Sequence, residues 1–292
     1  MPKPLPKALT IAGFDPSGGA GVLADVRTFG AFGLDAAAAV TSITFQNTNR
    51  VFGAVHQSGE DVRAQVLPLL EEGGIVCSKT GMLPTREVVL EVVRLFRETK
   101  LPRPIVDPVI LSSSGERLME ESALAAVIED LLPLARLVTP NIPEAERLTG
   151  ITITSEEDMR LAAAAIRELG ARAVLIKGGH LGGQKAPGSR HQAEARLSGR
   201  AQNKALAKAR ASACALMNRS DEAIDLLDNN GKLTVFRERR VSGGELHGSG
   251  CILSAAIAAG LGKGMTLEDS VAAAKLFVLE AIRKTRGQLA EV

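Results

Sequence analysis

The sequence contains no tryptophan and no tyrosine. A flat ligand stacked on an aromatic side chain would have to use one of eight phenylalanines or four histidines. Cysteine is sparse, with only Cys77, Cys214 and Cys251. An odd, scattered set argues against a disulfide framework or a structural zinc site, and a reducing, cytoplasmic location is expected. No apolar run reaches the roughly 18 residues that a spanning helix needs. The start, Met-Pro-Lys-Pro-Leu-Pro-Lys, leads into no long apolar run, so no secretory signal is expected. An excess of charge of one sign is lacking as well. The formal net charge of +2 gives no global attraction to nucleic acid or to an acidic membrane.

What is present is an alternation of short apolar runs and helical periods. Strands are expected at Ala8–Phe14, Ala36–Thr44, Ile75–Lys79, Pro104–Val109, Arg136–Thr139 and Ala171–Ile176. Helices are expected near 22–32 and over Gly59–Glu72, Pro84–Thr99, Ser122–Leu132 and Ser155–Leu169. Such an order predicts a mostly parallel sheet with helices on both faces, a three-layer α/β/α domain. Short strands at Glu222–Asp228, Lys232–Phe236 and Arg239–Ser242, a helix after Gly250 and a last helix at about 266–284 close the chain.

Residues 182–219 break the pattern. They hold eight Lys/Arg against one acid, whereas the rest of the chain is net acidic. Large apolar residues are few there, and a mobile surface insertion within a single domain is expected. A nucleic-acid contact is not expected, because no aromatic residue interleaves the charges.

The chemistry concentrates in two glycine-rich loops. Gly248-Ser249-Gly250-Cys251 opens an Ala-rich helix. Glycine lets a backbone come close to a ligand, and the amides at a helix start suit an anion such as a phosphate. A thiolate at Cys251 would be stabilised by the same field. Asp15-Pro16-Ser17-Gly18-Gly19-Ala20-Gly21 lies between the first strand and helix, but it is neither a G-x-G-x-x-G nor a Walker loop. Asp107 ends a strand, where ligands of open α/β sheets bind. Asn141 and Glu144 offer hard oxygen atoms of the kind that hold Mg²⁺, or else they begin a helix. Lys177 at a strand end is in reach of a phosphate. Gln46 carries an amide that donates and accepts, which suits an aminopyrimidine edge.

Taken in order, these blocks resemble the hydroxymethylpyrimidine/phosphomethylpyrimidine kinases of the ribokinase-like superfamily. The matching residues include Thr10-Ile11-Ala12-Gly13, Ser17–Gly21, Ala24-Asp25, Gln46-Asn47-Thr48, Lys79-Thr80-Gly81-Met82, Val106-Asp107-Pro108-Val109, Thr139-Pro140-Asn141 with Glu144, Lys177–His180 and His247–Cys251. The resemblance implies a ribokinase-like fold and two ATP-dependent phosphorylations of a small pyrimidine. It implies an anion hole at Gly248, Ser249, Gly250 and Cys251, with Cys251 as a base of near-neutral pKa. It places Gln46, Gly13, Met82, Val109 and Asp25 at the substrate, Lys177 and Asp107 at the nucleotide, and Asn141 and Glu144 at Mg²⁺. A homodimer is the expected assembly. Ser249 stands where the family has threonine, and Phe14 where it has a smaller or polar residue. The competing readings are a pyridoxal kinase of the same superfamily and a non-catalytic protein that keeps the fold.

Overall fold

The computed structural model describes residues 5–112, 115–179, 222–239 and 246–285. The basic segment 182–219, His180 and residues 240–242 of the expected strand lie outside the described residues.

The elements run in this order: β1 (Lys7–Phe14), α1 (Gly21–Ala31), β2 (Asp35–Gln46), β3 (Val51–His56), α2 (Gly59–Glu72), β4 (Ile75–Thr80), α3 (Arg86–Glu98), β5 (Ile105–Val106), α4 (Glu121–Ala126), β6 (Leu137–Val138), α5 (Ile142–Thr149), α6 (Glu156–Glu168), β7 (Ala173–Gly178), β8 (Glu222–Asn229), β9 (Lys232–Arg239), α7 (Ser249–Gly262) and α8 (Leu267–Thr285). Among the described residues, nine strands form one sheet in the order β3-β2-β1-β4-β5-β6-β7-β8-β9. The six central strands, β2 to β7 in that order, are parallel. The edges are antiparallel, with β3 on β2 and a β8–β9 hairpin on β7.

The expected alternation is thus present, and the differences have local causes. Gln46 is the last residue of β2 and not part of the following loop. β3 is a strand not anticipated from the sequence; Gly53 interrupts its short apolar run, and both Phe52 and Val55 are exposed. β5 is two residues long because Pro108 has no N–H to continue the ladder. The helix expected over Ser122–Leu132 begins as α4, then widens to a π turn at Val127–Leu131 and tightens to a 3₁₀ turn at Leu132–Leu134, beside Pro133.

Two apolar layers sandwich the sheet. On one face Leu9 and Ile11 of β1 pack with Val88, Val92 and Leu95 of α3 and Met159 and Ile166 of α6. On the other, Ala8 packs with Phe29 of α1, Ile257 of α7 and Val271 of α8. Each fully buried Val, Leu or Ile contributes about 1.5–3 kcal/mol. Five of the eight buried residues of α7 are Ala or Gly, so it lies close against its neighbours. A Cβ at Gly260 would come within 2.8 Å of Ser270 Oγ. This close packing fixes where the N-terminus of α7 emerges, beyond the carboxyl ends of the parallel strands. Among the described residues no helix is long and apolar enough to cross a membrane.

Candidate active site

The two glycine loops meet. Gly248, at φ +77°, caps the start of α7, and a Cβ there would lie 2.0 Å from the Gly19 carbonyl oxygen. A Cβ at Gly21 would likewise strike Gly13 O at 2.2 Å. Only glycine fits either approach. No side chain caps α7, which leaves the first-turn amides of Gly250 and Cys251 without a capping group.

Asp15 ties the loops together. Its Oδ1 accepts from Ser17 N (2.8 Å), and its Oδ2 accepts from Ala20 N (2.9 Å) and His247 Nε2 (2.9 Å). Burial would raise this carboxyl, but donors from Gln46, Ser17 and His247 outweigh it and hold Asp15 below the usual carboxylate range. Neither Asp15 nor His247 was singled out from the sequence. The readable signal for Asp15 is an Asp before Pro-Ser-Gly, which favours a turn closed on its own side chain.

Lys177, Asp107 and Gly250 come together. Lys177 Nζ donates to Asp107 Oδ1 at 3.1 Å and sits 3.1 Å from where a Gly250 Cβ would be. Asp107 is 2% exposed and also accepts from Thr139 Oγ1 (3.1 Å) and Ser254 Oγ (3.2 Å). Burial would raise its carboxyl, yet the Lys177 and Lys79 ammoniums pull it below the ordinary range. Lys177, against its own desolvation, is held above its usual value by Asp107 and Glu144.

Cys251 departs from expectation. A near-neutral thiol was predicted, but burial pushes it up to about 11, against the opposing pull of Lys79 and a hydrogen bond from the Gly21 backbone. Cys251 is therefore a thiol in the free protein.

Asp25 is also placed differently. It is fully buried, both its oxygens accept from Lys79 Nζ at 2.7 Å, and Oδ2 accepts from Thr10 Oγ1 at 2.6 Å. In the free protein its carboxylate is engaged by Lys79 and Thr10. Desolvation would lower Lys79, but Asp25, Cys251 and Asp107 keep its ammonium above the ordinary lysine range.

Gly13 and Met82 are adjacent, since a Cβ on Gly13 would lie 2.9 Å from Met82 Sδ. Gln46 lies at the end of the neighbouring strand, and its amide serves the Asp15 carboxylate. Val109 follows β5, half-buried, with its N–H on Asp107 O at 2.9 Å. No described contact joins it to Met82 or Gln46.

Asn141 and Glu144 take the helix-starting alternative. Asn141 Oδ1 accepts from Glu144 N (2.9 Å), and Glu144 Oε2 accepts from Asn141 N (2.8 Å), a capping box on α5. Burial and the Asp107 charge raise the Glu144 carboxyl to about 7, despite Lys177. Among the described residues no three His, Cys, Asp or Glu side chains group as a metal site. Asn141 Oδ1 and Glu144 Oε2 are engaged in the capping box, so a Mg²⁺ here would have to be held largely through water and phosphate oxygens.

A family model described as "Phosphomethylpyrimidine kinase" matches residues 15–192 and 187–290. A hydroxymethylpyrimidine/phosphomethylpyrimidine kinase of Rhizobium meliloti (strain 1021) is 39% identical over 276 residues, spanning 94% of this chain and 90% of that protein. The crystal structure of a phosphomethylpyrimidine kinase from Clostridium difficile 630 superposes with a TM-score of 0.73 at 33% identity, covering 94% and 99% of the two chains. The pyridoxal kinase of Staphylococcus aureus in complex with AMP-PCP and pyridoxal gives a TM-score of 0.76 at 29% identity, covering 96% and 89%.

Proposed function

Because the chain belongs to the phosphomethylpyrimidine kinase family, we propose that it transfers the terminal phosphoryl group of ATP twice at one site. It is a phosphotransferase of thiamine biosynthesis. The first acceptor is the hydroxymethyl oxygen of 4-amino-5-hydroxymethyl-2-methylpyrimidine; the second is the monophosphate so formed. The observation that carries this reading is the meeting of the uncapped start of α7 with Lys177 and Asp107 at Gly250. The first-turn amides of Gly250 and Cys251, within the Gly248–Cys251 loop, receive the charge that develops on the moving phosphoryl group. Lys177 holds the ATP phosphates, and Asp107 with Thr139 and Ser254 fixes where that ammonium points.

In the first step the hydroxyl oxygen bonds to the terminal phosphorus, the bond to the β-phosphate oxygen breaks, and ADP leaves. The hydroxyl proton passes to the Cys251 sulfur in its thiolate form, which with a value of about 11 is the minor form at neutral pH. In the second step an anionic phosphate oxygen attacks, and no proton has to be removed. Gln46 recognises the pyrimidine edge beside Gly13 and Met82, with Val109 at the rim. Glu144, oriented by Asn141, would hold Mg²⁺ through water, and the ion would supply charge neutralisation at the phosphates. Identity across nearly the whole chain favours a pyrimidine over pyridoxal as the preferred ring.

Ligand binding must stabilise the native state. ATP with Mg²⁺ at a hundredfold excess over Kd contributes about 2.7 kcal/mol, and the Tm should rise by several degrees. Hydroxymethylpyrimidine should add to that rise. A Tm that neither ligand moves would remove the reading.

A further inference from the structure

Lys177 and Asp225 are direct partners across the antiparallel β7–β8 pair. Side chains so placed share a face of the sheet, with Cβ atoms about 4.5–5.5 Å apart. A lysine and an aspartate in that relation would ordinarily pair. Here they do not: Lys177 reaches forward to Asp107 and the start of α7. The Asp225 carboxylate is engaged elsewhere. Its Oδ1 accepts from Gly178 N at 2.9 Å, and its Oδ2 accepts from Lys275 Nζ at 2.5 Å.

Lys275 lies in the middle of α8 beside Ala274, and it is 7% exposed. Burying an ammonium is costly unless it is paired. Lys275 meets this with Asp225, with Glu238 at 3.8 Å and with the Phe236 ring at 5.9 Å. Phe236 is itself the β9 partner of Asp225.

We propose that Lys275 is a positioning residue for nucleotide binding: by holding the Asp225 carboxylate it keeps Lys177 free for the ATP phosphates. Without Lys275, Asp225 becomes a buried, unneutralised anion next to Lys177. Among the described residues its cross-strand partner is the cation Lys177, which would turn back from the nucleotide. Removing that carboxylate as well takes away the trap. The inference rests on the assignment of Lys177 to the ATP phosphates.

The test is the Kd for ATP with Mg²⁺, measured by titration calorimetry on full-length variants, with folding checked by circular dichroism. Lys177→Met should weaken binding about tenfold or more, the loss of a charge-assisted contact. Lys275→Met should weaken it about tenfold, and Lys275→Arg should bind as the unaltered chain does. The diagnostic variant is Asp225→Asn/Lys275→Met. It should return to within about threefold of the unaltered chain, because the new amide oxygen still accepts from Gly178 N and carries no charge. A double variant as weak as Lys275→Met would overturn the proposal and reduce Lys275 to a packing role. So would Lys275→Met binding normally while Lys177→Met does not. If Lys177→Met itself binds normally, the Lys177 assignment falls first. Should Lys275→Met fail to fold, Asp225→Asn alone decides: near-normal Kd agrees with the proposal, and a tenfold loss contradicts it.

Discussion

Cys251→Ala should slow the first phosphorylation about a hundredfold or more, the usual worth of a positioned general base, while slowing the second by no more than about threefold. The split follows from the two nucleophiles. A hydroxyl must lose its proton as it attacks. A phosphate monoester has its second pKa near 6 and is already anionic at neutral pH. The high thiol value adds a pH signature. With Cys251 at about 11, its basic form grows roughly tenfold per pH unit across the range 6 to 9. First-step kcat should climb with pH over that range, second-step kcat should not, and Cys251→Ala should flatten the first profile. Equal losses in both steps would instead make Cys251 a part of the anion hole's shape. Step-resolved rates, with each pyrimidine supplied separately, provide the measurement.

Lys79→Met should be among the most destabilising single substitutions in the chain. The Lys79–Asp25 pair is wholly buried, and removing one partner strands a charge away from water. Such losses run to about 3–5 kcal/mol, a large share of a typical total of about 5–15 kcal/mol. Replacing both partners, as Asp25→Asn/Lys79→Met, should recover most of the loss, since apolar or neutral groups carry no desolvation penalty. Midpoints of urea unfolding measure both. The lysine's share of the pH dependence has a definite sign. Lys79 is held above its ordinary value, so its contribution is complete below the unfolded lysine pKa of about 10.4. That contribution is lost only as pH rises through the higher folded value. Asp25 adds a separate share: burial raises its carboxyl despite Lys79, so its ionisation lowers stability as pH rises from the ordinary carboxylate range towards that higher folded value.

Periodicity made the layered architecture legible. Apolar runs predicted eight of the nine described strands, all but β3, and the glycine loops marked where ligands approach. Lys177, Asp107 and Gly250 were readable one by one because strand ends and helix starts face the same side of an open parallel sheet. Their actual junction was not readable, because it depends on how tightly an Ala-rich α7 seats against the sheet. Asp25 looked available on a helix near a glycine loop. Its burial follows from Lys79, 54 residues away. Cys251 illustrates a competition that sequence alone does not resolve: a helix start favours the thiolate, burial disfavours it, and here burial is larger. Asn141 and Glu144 carried a metal reading and a capping reading; the spacing of three residues fits the capping box that forms. Lys275 would pass in any helical pattern as a solvated lysine, and only the β7–β8 register reveals what it neutralises.

The measurement closest to the central claim is ATP turnover by the purified chain, with hydroxymethylpyrimidine, its monophosphate and pyridoxal in parallel, read by phosphorus NMR. Hydroxymethylpyrimidine should be carried through the monophosphate to the diphosphate, the monophosphate added directly should give the same product, and pyridoxal should be the poorest acceptor. Turnover of pyridoxal alone, or none with any acceptor in a folded sample that binds ATP, would contradict that claim.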